Sequence, residues 1–347
     1  MNASIVRRTL SRGVFFLLVF MIGCAQSEAP QTESDSSTKI EPDNTPNYPR
    51  GPIELKYYND GPWAVTSKVN FACCDSTGNA FDIWYPTELG KGGFQHPVIT
   101  WGDGSAAKPT EYAYFLKHLA SWGFIVIASE TSNSHTGQEI IDAAKFVVAG
   151  DTDPSSIFYR KVAVNQVGAM GHSQGAGGAM NAMMKSGSFI KTVVPFERPQ
   201  QRQCTEAGDC PSTAGITSGS IFFVNGSEDG AVAPSAQSDG CMLNGQANEQ
   251  SHHCLYQNTP NTIAKAWGTV VGAAHNDIQG APDCSNLPLP SQLLLCKRGS
   301  YGYLGYPTAW MMDQLQGDTY AHSAFINDTG EFFRTTPNWR NQISNIH

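Results

Sequence analysis

The chain is short of charge: only 15% of its 347 residues are Asp, Glu, Lys or Arg, where a soluble domain typically carries about a quarter. Coiled coils and helical arrays need Glu/Lys-rich solvent faces, so this shortage argues against both. Positive charge is the scarcer sign. Lys plus Arg number 22 against 30 Asp plus Glu, a formal net charge of −8 with no basic run. Neutralisation of phosphates supplies most nucleic-acid affinity, so no nucleic-acid partner is expected. The 34 Gly and 20 Pro follow no period, which excludes a collagen-like chain. No Cys-x-x-Cys pair occurs, which disfavours a structural zinc site. The apolar run from Val14 to Ile22 is shorter than the ~20 residues a membrane span requires. What remains is enough apolar material (40% of residues) for one large domain or two small ones.

That apolar run follows Arg7, Arg8 and Arg12 and ends at Gly23-Cys24, the layout of a secretory signal peptide over residues 1–23. Met21-Ile22-Gly23-Cys24 resembles a bacterial lipobox, in which the cysteine is lipidated and becomes N-terminal after cleavage. Removing residues 1–23 takes away three arginines and no acid, so the net charge of −8 becomes −11. Residues 24–52 are rich in Ser, Thr, Gln, Glu and Pro and bury too little apolar surface to offset the entropy of ordering. They read as a lipidated N-terminus and disordered linker ahead of a catalytic domain over 53–347. The expected location is export, either as an outer-membrane lipoprotein or as a secreted protein, with membrane contact only through Cys24. Eight further cysteines (Cys73, Cys74, Cys204, Cys210, Cys241, Cys254, Cys284 and Cys296) form an even set, which in an exported chain suggests disulfides. Short spacings favour Cys204–Cys210, Cys241–Cys254 and Cys284–Cys296. Cys73 and Cys74 are then either joined to each other or linked elsewhere.

From about residue 55, short β-branched runs alternate with helical stretches. Strands are expected at 64–70, 80–85, 97–101, 124–128, 166–170, 192–194, 220–225 and 267–271, and helices at 110–121, 138–149, 175–185 and 303–315. The run Phe124-Ile125-Val126-Ile127-Ala128 is apolar throughout, as a central parallel strand should be. This alternation predicts an α/β fold: one domain with a mostly parallel central sheet of about eight strands and helices on both faces. Sites in such sheets lie beyond the carboxyl ends of the strands.

Gly171-His172-Ser173-Gln174-Gly175 falls between a strand and a small-residue helix, the setting of the nucleophile elbow of α/β-hydrolases. The turn is tight enough that side chains two residues either side of the serine would collide, so glycine is required there. A serine hydroxyl needs a base. His275 follows the strand 267–271 through Gly272-Ala273-Ala274 and lies downstream of the serine, in the chain order Ser, acid, His. His252 and His253 are expected to face solvent, and His172 to form pocket wall. Asp229, beyond the strand 220–225, is the expected acid; Glu228, Asp239 and Glu197 compete for that role. Two N–H groups should hold the oxyanion, one from Gln174 and one from the loop Trp101–Ser105, with Asp103 as the expected donor.

These stretches, with Leu119–Ile127, Val194-Pro195-Phe196, Glu228–Pro234, Ala273-Ala274-His275 and Ala309-Trp310-Met311, resemble the α/β-hydrolase superfamily. The likeness is to its branch of cutinase-like polyesterases, including poly(ethylene terephthalate) hydrolases, and dienelactone-hydrolase relatives, and it runs from about residue 60 to 330. It implies a serine carboxylic-ester hydrolase with Ser173, Asp229 and His275 as nucleophile, acid and base, acting on a small ester or a polyester without metal or organic cofactor. It makes Phe196 an aromatic clamp on the acyl part of the substrate, and Ala231–Pro234 the start of a helix after the aspartate. Polyesterases usually carry an aromatic at the oxyanion loop where this chain has Asp103. The stapled insertions around Cys204–Cys210 and Cys241–Cys296 are longer than expected for that branch and are candidates for the cleft rim. An acyltransferase or peptidase on the same triad, or a catalytically dead hydrolase fold used for binding, are the alternatives left open.

Overall fold

The computed structural model describes residues 48–49, 51–204, 208–286, 295–334 and 336–347. The signal peptide, Cys24 and nearly all of the expected linker lie outside the described residues. The first described helix is α1 (Pro52–Tyr58). Proline at its first position suits a turn where the missing N–H would be unpaired anyway. Its free N-terminal N–H groups on Ile53 and Glu54 donate to the carboxylate of Glu331, at 3.0 and 2.8 Å. The C-terminal part of the chain thus caps the first helix of the domain.

The order continues β1 (Val65–Ala72), β2 (Phe81–Pro86), β3 (His96–Gly102), α2 (Ala113–Ser121), β4 (Ile125–Ser129), α3 (Gln138–Gly150), β5 (Val162–His172), α4 (Gln174–Lys185), β6 (Thr192–Phe196) and β7 (Ser220–Gly226). A two-residue-per-strand hairpin, β8 (Met242–Leu243) and β9 (Gln246–Ala247), leads to α5 (His252–Asn258), β10 (Ala264–Val270), α6 (Tyr301–Gln316), α7 (Thr319–His322) and β11 (Trp339–Ser344). Nine strands form one sheet in the order β1-β2-β4-β3-β5-β6-β7-β10-β11. β4, β3, β5, β6, β7 and β10 run parallel, while β1, β2 and β11 pair antiparallel at the two margins. The α/β architecture is as expected, with one strand more than the eight anticipated.

Alternate side chains of each buried strand feed opposite faces. Ile99, Val126, Met170, Val194 and Phe222 pack into one apolar cluster with α1, α2 and α6. Val98, Ile127, Ala169, Val193 and Phe223 pack into the other with α3, α4 and α5. Covering both faces explains why the central strands are apolar throughout.

Elements absent from the sequence expectation are α1, α5, α7, β11 and the β8–β9 hairpin. β11 (Trp-Arg-Asn-Gln-Ile-Ser) is too polar to look like a strand, because an edge strand needs only one covered face. α5 (His-His-Cys-Leu-Tyr-Gln-Asn) shows little amphipathic pattern, yet Ser251 caps it through the N–H of Cys254. The expected helix after Asp229 is replaced by turns. All four cysteine pairs are disulfides: Cys204–Cys210, Cys241–Cys254, Cys284–Cys296, and the adjacent Cys73–Cys74. Among the described residues, no helix is long and apolar enough to cross a membrane.

Candidate active site

Ser173 sits between β5 and α4 with φ 53° and ψ −119°, a left-handed backbone that a non-glycine residue adopts only when its surroundings impose it. Its N–H donates to the carbonyl of Phe196 at 2.9 Å, which anchors the turn to the next strand. Both elbow glycines are required by close approach. A Cβ on Gly171 would strike the carbonyl of Gly175, and one on Gly175 would strike the carbonyls of Gly102 and Asp103. The second clash shows that the elbow is wedged against the end of β3 as well as folded on itself.

The loops after β7 and β10 bring two more side chains to this serine. His275 Nε2 lies 3.0 Å from Ser173 Oγ, and His275 Nδ1 lies 2.5 Å from Asp229 Oδ2. The other oxygen of Asp229 accepts from the N–H of Val232 at 3.1 Å. Burial alone would push the Asp229 carboxyl up, but hydrogen bonds from His275, Glu197 and Val232 bring it below its usual range. It is therefore a carboxylate at neutral pH and holds the histidine with Nδ1 protonated, leaving Nε2 to accept from the serine.

A second set of bonds fixes the loop that carries the histidine. Asp277 Oδ2 accepts from the N–H of Ala274 at 2.5 Å, and its Oδ1 accepts from the N–H groups of Lys297, Arg298 and Gly299 at 2.5, 2.8 and 3.0 Å. One buried carboxylate thereby joins the histidine loop to the chain just past the Cys284–Cys296 disulfide. His172, beside the serine, joins the other two loops. Its Nε2 donates to the carbonyl of His275 at 2.8 Å, so its Nδ1 must accept from the Tyr112 hydroxyl at 2.9 Å. The Tyr112 oxygen in turn accepts from the N–H of Gly104 at 3.0 Å. Burial, reinforced by nearby His275, pushes His172 down to about 3, so the strut is uncharged across the working pH range.

Two clefts flank the serine. One, of about 320 Å³, is walled by Ser105, Tyr112, His172, Ser173, His275 and Leu295. The other, of about 240 Å³, lies between Ser105, Gln174, Pro199, Asp209 and the Cys204–Cys210 disulfide. A larger hollow of about 510 Å³, floored by Phe71, Phe146 and Phe158, contains none of the candidate residues.

Ser173, His275, Asp229, His172 and Gln174 are thus brought together. Two sequence expectations need correction. Phe196 is fully buried and packs against Trp101, Phe115 and Tyr303, with ring centroids at 6.1, 5.5 and 5.6 Å. It is the last residue of β6, its ring belongs to the core under α2 and α6, and it borders neither cleft. Asp103, expected to supply the second N–H, likewise borders neither cleft; its side chain turns inward, Oδ1 accepting from the indole N–H of Trp101 at 2.9 Å, and burial pushes its carboxyl well up. The loop residue that borders both clefts beside Gln174 is Ser105, two positions further on. Among the rival acids, Glu228 pairs with Lys297 at 3.1 Å on the surface and Asp239 is exposed, whereas Glu197 is buried within reach of Asp229. His252 is buried rather than solvent-facing, while His253 is exposed.

Sequence reasoning missed Tyr112 and Asp277 altogether. Tyr112 carried only the apolar spacing of a helix, and a lone aspartate two residues past a histidine carries no pattern. Among the described residues, three clusters group enough donors for a cation. Two of them, Cys241-His253-Cys254 and Asp277-Cys284-Cys296, rest on sulfurs already tied in disulfides, which lack the thiolate a metal needs. The third, Glu197-Asp229-His275, is the hydrogen-bonded acid and histidine described above.

Sheet order, elbow and loop positions define an α/β-hydrolase, and the PETase family model, described as PET hydrolase-like, matches residues 43–271. The match covers about two thirds of the chain, and the chain belongs to this family. His275 lies just beyond the matched stretch. The chain is also 30% identical over 159 residues to a bis(hydroxyethyl) terephthalate hydrolase of Streptomyces coelicolor, an alignment covering 43% of this chain and 48% of that protein. The chain therefore spans about half the length of this relative.

Proposed function

We propose that the chain is an exported serine carboxylic-ester hydrolase in which Ser173 attacks the ester carbonyl, His275 takes and returns the proton, and Asp229 orients the imidazole. The unbroken line from Ser173 Oγ through His275 to Asp229, at 3.0 and 2.5 Å, carries this reading. The serine proton moves to His275 Nε2 as Oγ bonds to the carbonyl carbon. The tetrahedral oxyanion is held by the N–H of Gln174 at the start of α4 and by that of Ser105, each worth ~3 kcal/mol of barrier. Ser105 takes the place expected of Asp103, because Ser105 borders both clefts and Asp103 neither. Collapse expels the alkoxide, which takes the proton from His275. Water, deprotonated by the same histidine, then releases the acid from Ser173.

The alcohol leaves where His275 can protonate it, in the larger cleft, and the acyl group lies beside Gln174 and the Cys204–Cys210 loop. A cleft of about 320 Å³ is at the small end of ligand pockets, roughly 300–1,000 Å³, and favours a short ester over a bulky polymer segment. The relative's name supports bis(hydroxyethyl) terephthalate as a first substrate to try. Four disulfides support an oxidising compartment, and residues 1–24 support export with a lipid anchor at Cys24. Replacing Ser173→Ala should abolish hydrolysis of p-nitrophenyl butyrate and of bis(hydroxyethyl) terephthalate, and labelling by a fluorophosphonate probe, with the melting curve unchanged. Undiminished turnover in that variant would sink the proposal.

A further inference from the structure

We propose that Glu197 is a positioning residue for the relay, donating a carboxylic O–H to the Asp229 carboxylate and so fixing the face that Asp229 presents to His275. The inference deepens the serine-hydrolase reading above and rests on it.

Glu197 follows β6 directly, its N–H bonded to the carbonyl of Val224 at 3.0 Å. Its φ is 51°, a left-handed conformation that turns the side chain into the protein and that a non-glycine residue holds only under constraint. The residue is fully buried. Oε1 accepts the Tyr303 O–H at 2.6 Å, while Oε2 accepts no hydrogen bond. A carboxylate oxygen of Glu197, one of Asp229 and a ring nitrogen of His275 all lie within 4.8 Å of one another.

Two ionised carboxylates this close in a buried site repel, so the pair shares one proton. The surroundings decide which residue keeps it. Asp229 accepts from His275 and from the Val232 N–H, whereas Glu197 has the Tyr303 hydroxyl and the Gly226 N–H, which offset its burial and the charge of Asp229 only in part. Burial, then the charge of Asp229, pushes the Glu197 carboxyl well up, while Asp229 is held low. Among the described residues facing Glu197 and Asp229, no permanent cation offsets this. The adjacent Arg198 directs its guanidinium to the carbonyls of Pro199 and Pro211 and to Glu249. His252, behind Asp229, is pushed down to about 3 by burial and is neutral. Tyr303, with Tyr48 and Asp277 beyond it, adds no positive charge. Glu197 therefore holds its proton in the resting site. That proton occupies one lone pair of Asp229, spreads that carboxylate's charge and leaves the other oxygen to the imidazole.

The experiment compares E197Q with E197M in the full chain. Glutamine keeps a donor for Asp229 and an acceptor for Tyr303, and should retain kcat within about 5-fold. Methionine removes the donor and should lower kcat about 10- to 100-fold, the worth of one buried hydrogen bond to a charged group, with KM little changed. It should also shift the acidic limb of the kcat/KM profile to higher pH, because an undiluted Asp229 charge holds the imidazolium more tightly. Infrared difference spectra of unreacted wild type minus E197Q at pH 8 should show the C=O stretch of a protonated carboxylic acid. That spectrum tests the inference even if E197M fails to fold. Wild type that ignores the fluorophosphonate probe would overturn the underlying reading instead. Wild type that reacts, with no such C=O band or with E197M matching E197Q in kcat and pH limb, would overturn the role of Glu197.

Discussion

Replacing Tyr112→Phe removes one oxygen and should loosen two loops at once. The hydroxyl accepts from the N–H of Gly104 at 3.0 Å and donates to His172 Nδ1 at 2.9 Å, and the ring is only 1% exposed. Water cannot readily replace it, so phenylalanine leaves a buried donor and a buried acceptor without partners. Each such orphan costs about 1–3 kcal/mol, so the variant should lose roughly 2–6 kcal/mol of stability. For a domain of this size, each kcal/mol corresponds to a fall of roughly 1.5 °C in Tm. Gly104 precedes Ser105, the proposed oxyanion donor. Losing such a donor outright costs ~10²–10³ in kcat, so allowing it to drift should cost about 10- to 100-fold. KM should change far less, because the ground-state carbonyl leans on that donor less than the oxyanion does. Thermal melts and kcat on p-nitrophenyl butyrate, measured side by side, check both effects. A Tm and a kcat indistinguishable from wild type would refute the claim that this hydroxyl ties the oxyanion loop to the elbow.

Two further substitutions test the frame around the site. Asp277→Asn should place an amide N–H opposite the N–H of Ala274, now held at 2.5 Å by Oδ2; kcat should fall roughly 10-fold with KM nearly constant, as expected for loss of one buried bond beside the base, and an unchanged kcat would detach Asp277 from the positioning of His275. Asp82 is pushed up from 3.8 to about 6 by burial first and by neighbouring Glu130 second. Its ionised form is thus disfavoured in the fold, so the protein loses stability as pH rises from about 4 to about 6 and does not regain it above. Asp82→Asn should leave Tm unchanged at pH 4 and raise it at pH 8, by about 1–3 kcal/mol of stability; equal shifts at both values would contradict that assignment.

The fold was legible because its signal is collective. Each central strand is buried on two faces and reads as an apolar run, as Ile125–Ser129 shows, and apolar residues recurring every three or four positions mark a covered helix. Where only one face is covered, as in β11, or where a cap rather than an apolar stripe sets the helix, as in α5, nothing periodic is written in the chain. The elbow was equally legible, since its glycines answer a backbone collision that no other residue survives. The clamp and oxyanion assignments fared differently. A strand's alternation turns the Phe196 ring into the core, and Asp103 stands two residues short of Ser105, the loop residue that borders the clefts.

The groups that hold the site in shape are nearly all buried and titratable: His172, Glu197, Asp229 and Asp277. Each costs free energy to bury, and each offsets that cost by accepting N–H or O–H donors from a different loop, so that their removal disorders geometry before it disorders the fold. A residue chosen for a partner 50 or 100 positions away, as Tyr112 is for His172 (60 apart) or Tyr303 for Glu197 (106 apart), has no neighbour in sequence to betray it. The side chains proposed as nucleophile, base and acid stand in a chain order that a single sequence displays, and the structure brings them into hydrogen-bond contact. Their supports answer only to three-dimensional satisfaction of hydrogen bonds, which is why the relay could be read from the chain and the struts around it required coordinates.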